Sequence, residues 1–257
     1  MRLLVLLAAI AMPVIAWFTQ YGSFGPDNGA MSDRYPTLLI AHGYAFAIWA
    51  VIFLLDLVYA IWQITGERRS DETVAHVAPW AAAGFVLTAL WMPLFSMGQF
   101  WLCLLVIFGA MACLVRCAFV LSHDHTPEEG QWLWAWTPLS LHAGWLSVAA
   151  FLNLAQVIVA YQLLPVGGQM LGWSLVLLAL AAITLLVLNH RMHGNIDYAA
   201  AAIWGLVAVY VKQSGWDIPG AQTAAWVAAG IAVLLALQTA YLRFKHPGGL
   251  ATNPARG

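Results

Sequence analysis

The stretch TPLSLHAGWLSVAAFLNLAQV, residues 137–157, is apolar enough to cross a membrane, yet it contains several polar side chains. A polar group in lipid costs free energy unless it has a partner or a use. A set of polar, aromatic and small residues recurs here at intervals of 4, 3, 4, 4 and 3: Pro138, His142, Trp145, Ala149, Asn153 and Gln156. This spacing predicts one helix with a single polar and aromatic face, about 21 Å long from His142 to Gln156.

The composition of the whole chain indicates an integral membrane protein. Of its 257 residues 63% are hydrophobic and 8% are charged, whereas a soluble domain has about 25% charged residues. The formal net charge of −1 gives no indication of a nucleic-acid partner. The three cysteines lie in one apolar segment without a CxxC pattern. We expect them to be packing residues and predict neither a disulfide framework nor a metal site.

A helix needs about 20 apolar residues to cross a bilayer. The sequence predicts an all-α, polytopic membrane helix bundle with about eight transmembrane helices. The first could also be a signal peptide behind Arg2, but its cleavage site would be poor and early, so we expect a retained span. The predicted spans are about 3–19, 38–64, 77–97, 99–122, 131–161, 170–189, 196–213 and 221–243.

The distribution of Lys and Arg predicts the orientation, because cytoplasmic loops are enriched in these residues. With eight spans, only Arg34 and Lys212 fall on the side opposite to the termini. We therefore expect both termini in the cytoplasm, and helical spans favour a bacterial inner membrane over an outer membrane. The remaining basic residues fall on or near the side of the termini: Arg2, Arg68, Arg69, Arg116, Arg191, Arg243, Lys245 and Arg256.

Two further spans repeat the aromatic pattern of residues 137–157. One stripe consists of His42, Phe46, Trp49, Phe53 and Asp56, and the other of Trp80, Gly84, Thr88, Trp91 and Phe95. A single stripe of this kind is typical of an aromatic-packed core. Three adjacent stripes favour a lined cavity, because ligand pockets are mostly aromatic and apolar with a few polar groups.

Two charges lie inside predicted spans, and isolated charges are expensive there. Asp56 and Arg116 each lie about six residues before the cytoplasmic end of their span, at a depth of about 9 Å. We predict that they form a structural ion pair or share a polar cluster. A proton relay through Asp56 is the alternative.

Four histidines fall in cytoplasmic loops: His123, His125, His190 and His193. A metal site is conceivable, but no cysteine or buried carboxylate completes a ligand set, so a solvated loop is the favoured interpretation. The sequence contains no Gly-rich phosphate loop and no GxSxG elbow. A conventional enzyme is therefore not the favoured class.

Three motifs resemble the tryptophan-rich sensory protein / translocator protein (TspO/MBR) family. GYAFAIWAVIF at residues 43–53 resembles its second-span element F-x-x-x-W-x-x-x-Y. LTALWMPLF at 87–95 resembles its third-span element L-N-x-x-W-T-x-L-F-F, and WLSVAAFLN at 145–153 resembles its fifth-span element W-V-x-F-A-x-x-L-N. The family's five-span core would correspond to residues 1–161. Residues 170–243 would be three additional helices, as in longer eight-span relatives, before a short cytoplasmic tail at 244–257.

The resemblance implies a pocket for a flat, apolar ligand such as protoporphyrin IX, a haem-like tetrapyrrole or a sterol, and a homodimer. The matching positions are Trp49, Trp91, Trp145 and Asn153, and the full set of expected ligand-binding residues adds Phe53, Phe95 and His142. The family's third-span Asn is Thr88 and its second-span Tyr is Phe53. The link at about 20–38 is long and is a candidate lid over the extracytoplasmic mouth.

Three functions are compatible with these features. The first is binding, sensing or transport of a porphyrin-like molecule. The second is an enzyme that degrades porphyrins in the light. The third is a structural or assembly subunit of a membrane complex, in which the aromatic stripes pack against partner proteins.

Overall fold

The computed structural model describes residues 1–66, 70–166 and 169–245, and this part of the chain is helical without strands. The predicted tail lies outside the described residues from position 246 onwards. The helices are α1 (Arg2–Gln20), α2 (Asn28–Arg34), α3 (Ile48–Trp62), α4 (Glu72–Ser96), α5 (Phe100–Ser122), α6 (Thr137–Ala160), α7 (Met170–Arg191), α8 (Ile196–Ser214) and α9 (Ala221–Lys245). A 3₁₀ turn (Gly43–Ala47) leads into α3, and a π turn (Trp132–Trp136) leads into α6.

Within the described residues, seven helical segments are long and apolar enough to cross a membrane, which confirms a polytopic helix bundle. Helix α8 is not among them, because its ends carry Asp197 and Lys212 and its interior is rich in alanine. It nevertheless has 19 residues, a length of about 28 Å, and it packs along α6. The Thr137 hydroxyl donates to Asp197 Oδ2 (2.9 Å), so both helices begin at the same level. The packing is consistent with eight helices side by side.

Helix α6 is the central helix of the bundle. It contacts α3, α5, α7 and α8, while α1 packs against α3 and α4, and α9 packs against α7 and α8. Of the most apolar stretch of the span that includes α6, 72% of the residues are buried, compared with 28% for α1 and for α7. The aromatic and polar face predicted for residues 137–157 therefore lies in the protein interior.

We call the end of the bundle that carries Arg2 the terminal end. The Arg2 guanidinium donates to the carbonyl oxygens of Gln63 (2.6 Å) and Asp71 (3.2 Å), so the start of α1, the end of α3 and the start of α4 meet there. At the far end, Lys212 Nζ lies 2.8 Å from Asp33 Oδ1, which joins α8 to α2. The helices thus alternate in direction, as the predicted spans require.

Three local features differ from the predicted spans. The second span begins at Gly43, and His42 is an exposed cap whose Nδ1 accepts from the Tyr44 amide (3.4 Å), so His42 lies outside the helical stripe. Helix α2, inside the predicted link, was not anticipated; Asp27 caps it by accepting from the Ala30 amide (2.9 Å). The π turn precedes Pro138, which has no amide donor to continue the regular pattern.

Candidate functional site

The three aromatic stripes meet where α3, α4 and α6 converge. The Trp49 and Phe53 rings stack at 5.4 Å between centroids, and those of Trp91 and Phe95 stack at 4.8 Å. Trp145 packs edge to face with Trp49 at 5.9 Å. All five side chains are at most 9% exposed. Helical periodicity therefore selected residues that do converge in space.

Polar atoms of this cluster are only partly paired. The Trp91 indole N–H donates to Asn153 Oδ1 at 3.1 Å. Three other buried N–H donors have no partner in the structure: Trp49 Nε1, Trp145 Nε1 and Asn153 Nδ2. An unpaired buried donor costs about 1–3 kcal/mol, and most buried polar groups in proteins are paired. A ligand with acceptor atoms would remove this cost.

Two cavities adjoin the aromatic cluster. The inner cavity, about 40 Å³ in volume, is lined by Ser32, Ala41, Ala45, Phe46, Trp49, Trp91, Phe95, Trp145, Ala149, Leu152, Asn153 and Gln156. The outer cavity, about 370 Å³, is lined by Ala16, Thr19, Gln20, Asp27, Asn28, Gly29, Gly43, Phe46, Ala47, Trp49, Phe53 and Met92. Phe46 and Trp49 line both cavities. We call the two cavities together the aromatic pocket.

Other members of the predicted stripes lie outside the aromatic pocket. Trp80 is 42% exposed on the surface of α4. Gly84 faces Leu114 of α5, where an added Cβ would lie 2.7 Å from Leu114 Cγ. Both positions follow the helical spacing of the third stripe. In the structure, however, Trp80 faces the protein surface and Gly84 faces α5.

His142 lies beneath the aromatic pocket and not in its lining. Its Nδ1 is 2.7 Å from Asp56 Oδ2, and its Nε2 is 3.3 Å from the Thr88 hydroxyl oxygen. His142 and Asp56 are 0% exposed. Its ring stacks against Phe85 at 6.0 Å and meets Trp49 edge to face at 5.7 Å. Since both ring nitrogens are engaged, His142 is a member of a polar network.

The predicted ion pair between Asp56 and Arg116 is wrong. Asp56 pairs with His142 of α6, while an Arg116 guanidinium nitrogen lies 3.4 Å from His76 Nε2 of α4. The prediction rested on the equal depth of the two residues in the membrane. Two side chains must lie at a similar depth to make contact, but the rotation of each helix about its axis decides which neighbouring helix a side chain faces.

The loop histidines remain apart from any recognisable metal centre. His123 and His193 rings lie 4.9 Å apart, and His123 Nδ1 is 2.8 Å from the Phe119 carbonyl oxygen. Within the ranges that the structure describes, no group of three or more His, Cys, Asp and Glu side chains is arranged to hold a metal ion.

Comparison with protein families matches residues 2–240 of the chain to the family described as TSPO-like protein. The chain belongs to the TSPO-like family. Neither a curated protein nor a solved structure matches the chain. The TSPO-like match extends through most of α9, so the three C-terminal helices lie within the matched region.

Helix α2 covers one end of the pocket in this TSPO-like chain. Gln156 Nε2 donates to the Ser32 hydroxyl oxygen at 2.9 Å, and the Ser96 hydroxyl donates to Asn28 Oδ1 at 3.0 Å. Ser32 and Asn28 thus line the cavities although no stripe predicted them. The Asp27 cap followed by a short run without proline is the sequence signal that would have predicted this helix.

Replacement of Gln156 by leucine should loosen α2. The change removes the hydrogen bonds from Nε2 to Ser32 Oγ (2.9 Å) and Ser32 O (3.4 Å). Hydrogen bonds of this kind contribute about 0.5–1.5 kcal/mol each, so amide hydrogen exchange in α2 should accelerate about tenfold. Exchange followed by mass spectrometry measures this.

Lys212→Ala is the matched control for Gln156→Leu, because it removes an exposed ion pair to the same helix. Exposed pairs contribute about 0–1 kcal/mol, so exchange in α2 should change less than with Gln156→Leu. An equal or larger acceleration in Lys212→Ala would show that Gln156 does not hold α2.

Proposed function

We propose that this TSPO-like protein binds a planar hydrophobic molecule of the porphyrin or tetrapyrrole class in the aromatic pocket and acts in its sensing, transport or turnover. The observation that supports this most directly is the position of Trp49. Its side chain is a shared wall of the inner and outer cavities and the centre of the aromatic cluster. A planar ligand that displaces this wall would join the two cavities.

The cavity volumes support a site that opens around its ligand. Small-molecule pockets have volumes of about 300–1,000 Å³. The outer cavity, at about 370 Å³, reaches this range, whereas the inner cavity, at about 40 Å³, has room for only a water or so. A large macrocycle therefore requires movement of Trp49 or of the α2 cover.

The chemistry of the lining supports a ligand with a flat apolar body and a polar edge. Indole and phenyl faces stack favourably on a planar π system. The unpartnered N–H groups of Trp49, Trp145 and Asn153 are all donors, and none of these three atoms is an acceptor. Carboxylate or carbonyl oxygens on the ligand are their complement, and carboxylates form the stronger, charge-assisted hydrogen bonds.

The hydrogen bonds of His142 favour a metal-free ring over a haem that this residue would ligate. An axial imidazole needs one ring nitrogen free for the iron. In this protein Nδ1 faces Asp56 and Nε2 faces Thr88. We therefore place His142 below the ligand site and assign the contacts with the ligand to Trp49, Phe53, Trp91, Phe95, Trp145 and Asn153.

Titration of the purified protein with protoporphyrin IX tests the proposal. Saturable quenching of Trp fluorescence with a Soret shift is the expected result. Trp145→Ala and Trp49→Ala should each weaken binding about tenfold, because each removes a stacking surface and an N–H donor. Trp226→Ala is the matched control, since Trp226 is 65% exposed on α9. Unsaturable quenching, or equal affinity in all variants, would refute the proposal.

We further propose the membrane setting and organisation of the protein. The bias of basic residues towards the side of the termini supports a bacterial inner membrane with both termini in the cytoplasm. Residues 1–161 would form the ligand-binding core, and the three helices of residues 170–243 would support it through the contact of α8 with α6. A homodimer accords with the resemblance to the family.

A further inference from the structure

The buried pair of Asp56 and His142 has no role in the proposed ligand contacts. Both side chains are 0% exposed, and their facing atoms lie 2.7 Å apart. Ionisable residues inside membrane spans are rare because they are expensive, and they commonly mark ion or proton pathways. The pair is therefore a candidate functional site as well as a structural contact.

The pair is poorly satisfied for a purely structural element. Asp56 Oδ1 has no hydrogen-bond partner, and the hydroxyl of Tyr59, one helical turn further along α3, has none either. A buried ion pair repays its desolvation only when further hydrogen bonds satisfy its remaining atoms. An acidic group with an open acceptor position is well suited to gain and lose a proton.

The pair also touches Trp49, which lines both cavities of the pocket. The His142 ring lies between Phe85 and Trp49, at centroid distances of 6.0 and 5.7 Å. A cation over the face of an aromatic ring, within about 6 Å of its centroid, is attracted by the quadrupole of the ring. Movement of Trp49 therefore changes the surroundings of His142, and protonation of His142 changes the preferred position of Trp49.

Few other titratable groups face the pair. Tyr59 on α3 and Cys117 on α5 interact electrostatically with Asp56, and Arg2 of α1 lies beyond Tyr59. On α4 the facing group is the Thr88 hydroxyl, which is not titratable in water. Helix α8 packs against α6 through the backbone of Tyr198 at Gly144, two residues beyond His142.

Tyr59 and Gln63 also lie between the pair and the terminal end along α3. Asp56 lies six residues before the end of α3, about 9 Å along the helix. Tyr59 follows it by one turn, and Gln63 at the helix end accepts from Arg2 through its carbonyl oxygen. Along α3, Asp56 thus lies closer to the terminal end than Trp49 and Phe53 of the ligand site do.

We propose that Asp56 and His142 form a proton-binding site, and that binding of a carboxylate-bearing ligand in the aromatic pocket loads it with one proton. In the unloaded state, His142 Nδ1–H donates to Asp56 and Nε2 accepts from the Thr88 hydroxyl. A proton from water at the terminal end adds to Nε2, and the Thr88 hydroxyl oxygen then becomes an acceptor.

This inference rests on the proposed ligand site. It further specifies that the ligand carries a negative charge. A carboxylate held by the donors of Trp49, Trp145 and Asn153 is a negative charge near His142, and such a charge favours the imidazolium form. The proton offsets the ligand's charge within the membrane, where an unbalanced charge is expensive. By linkage, ligand binding and proton binding strengthen each other to the same degree.

The test compares protoporphyrin IX, which carries two carboxylates, with its dimethyl ester, which carries none. In weakly buffered detergent with a pH indicator dye, binding of the acid should take up about one proton per ligand. Its Kd should fall up to about tenfold for each unit that the pH is lowered, the limit for one linked proton. Binding of the ester should take up no proton.

Asp56→Asn should remove the proton uptake and the pH dependence that belong to the pair, while any titration of the porphyrin itself remains. Asp197→Asn is the matched control, because Asp197 pairs with Thr137 at the terminal end of α6 and α8, away from the pocket, and it should behave as the wild type. If Asp56→Asn does not fold, His142→Gln takes its place, and the comparison of acid with ester in the wild type needs no variant.

The outcomes separate the two proposals. Saturable binding of the acid without proton uptake, or proton uptake by Asp56→Asn that equals that of the wild type, overturns the proton site and leaves the ligand site standing. Saturable binding of neither porphyrin overturns the ligand site and, with it, the coupling.

Discussion

Gly144→Ala should be among the most destabilising single-methyl changes in this protein. A Cβ at this position would collide with the backbone carbonyl of Tyr198, whose C and Cα atoms would lie 2.8 and 2.9 Å from it. The obstacle is backbone, which cannot rotate away, so α6 and α8 must separate along their contact. Overpacking typically costs about 1–3 kcal/mol, and we expect the upper end of that range.

The free energy of unfolding in mixed micelles with a denaturing detergent measures this loss. Gly230→Ala is the matched control, because a Cβ there meets nothing within 4 Å on the exposed face of α9. Alanine is a better helix former than glycine by about 1 kcal/mol, so the control should be unchanged or slightly more stable. Equal stability of the two variants would contradict the close approach of α6 and α8.

His142→Leu should destabilise the protein by about 3–5 kcal/mol, the usual cost of removing one partner from a buried ion pair. The substitution removes the group that faces Asp56 Oδ2, and Asp56 Oδ1 is already without a partner. The carboxylate would then be buried with no hydrogen-bond donor to either oxygen. The loss should diminish at low pH, because a neutral carboxyl is less costly to bury than a carboxylate.

The double variant Asp56→Leu/His142→Leu separates charge from packing. A buried ion pair replaced by apolar side chains of similar volume is often neutral or stabilising, so the double variant should recover most of the stability that His142→Leu loses. The same unfolding measurement gives the coupling energy of the cycle. Simple addition of the two single effects would show that Asp56 and His142 do not depend on each other.

The helices of this protein were predictable because lipid imposes strict demands on sequence. Each span must be long and apolar, and spans 131–161 and 221–243 correspond closely to the structural Trp132–Ala160 and Ala221–Lys245. The aromatic cluster was predictable for a related reason. Residues at intervals of three and four share one helix face, and a face with Trp, Asn and Gln is best placed in the interior.

Helix α2 and the turn before α3 were less predictable, because they lie outside the lipid-imposed pattern. The seven residues of α2 are mostly polar or small and form a helix with an Asp27 cap. Their position over the pocket depends on Gln156 and Ser96, which are distant along the chain. His42 shows the converse error: its spacing fits the second stripe, yet the chain there has not begun its regular helix.

The sequence by itself determined the helical segments, the class of membrane protein and the Trp and Phe residues of α3, α4 and α6 that converge in the aromatic pocket. Only the tertiary structure decided the partner of Asp56. Asp56 lies six residues from the end of α3 and His142 five residues from the start of α6, so depth allowed this pair as readily as the pair with Arg116. Choosing between the two pairs requires the order and the rotation of the helices. These depend on contacts between distant residues, such as Gly144 against Tyr198, which leave no local pattern in the sequence.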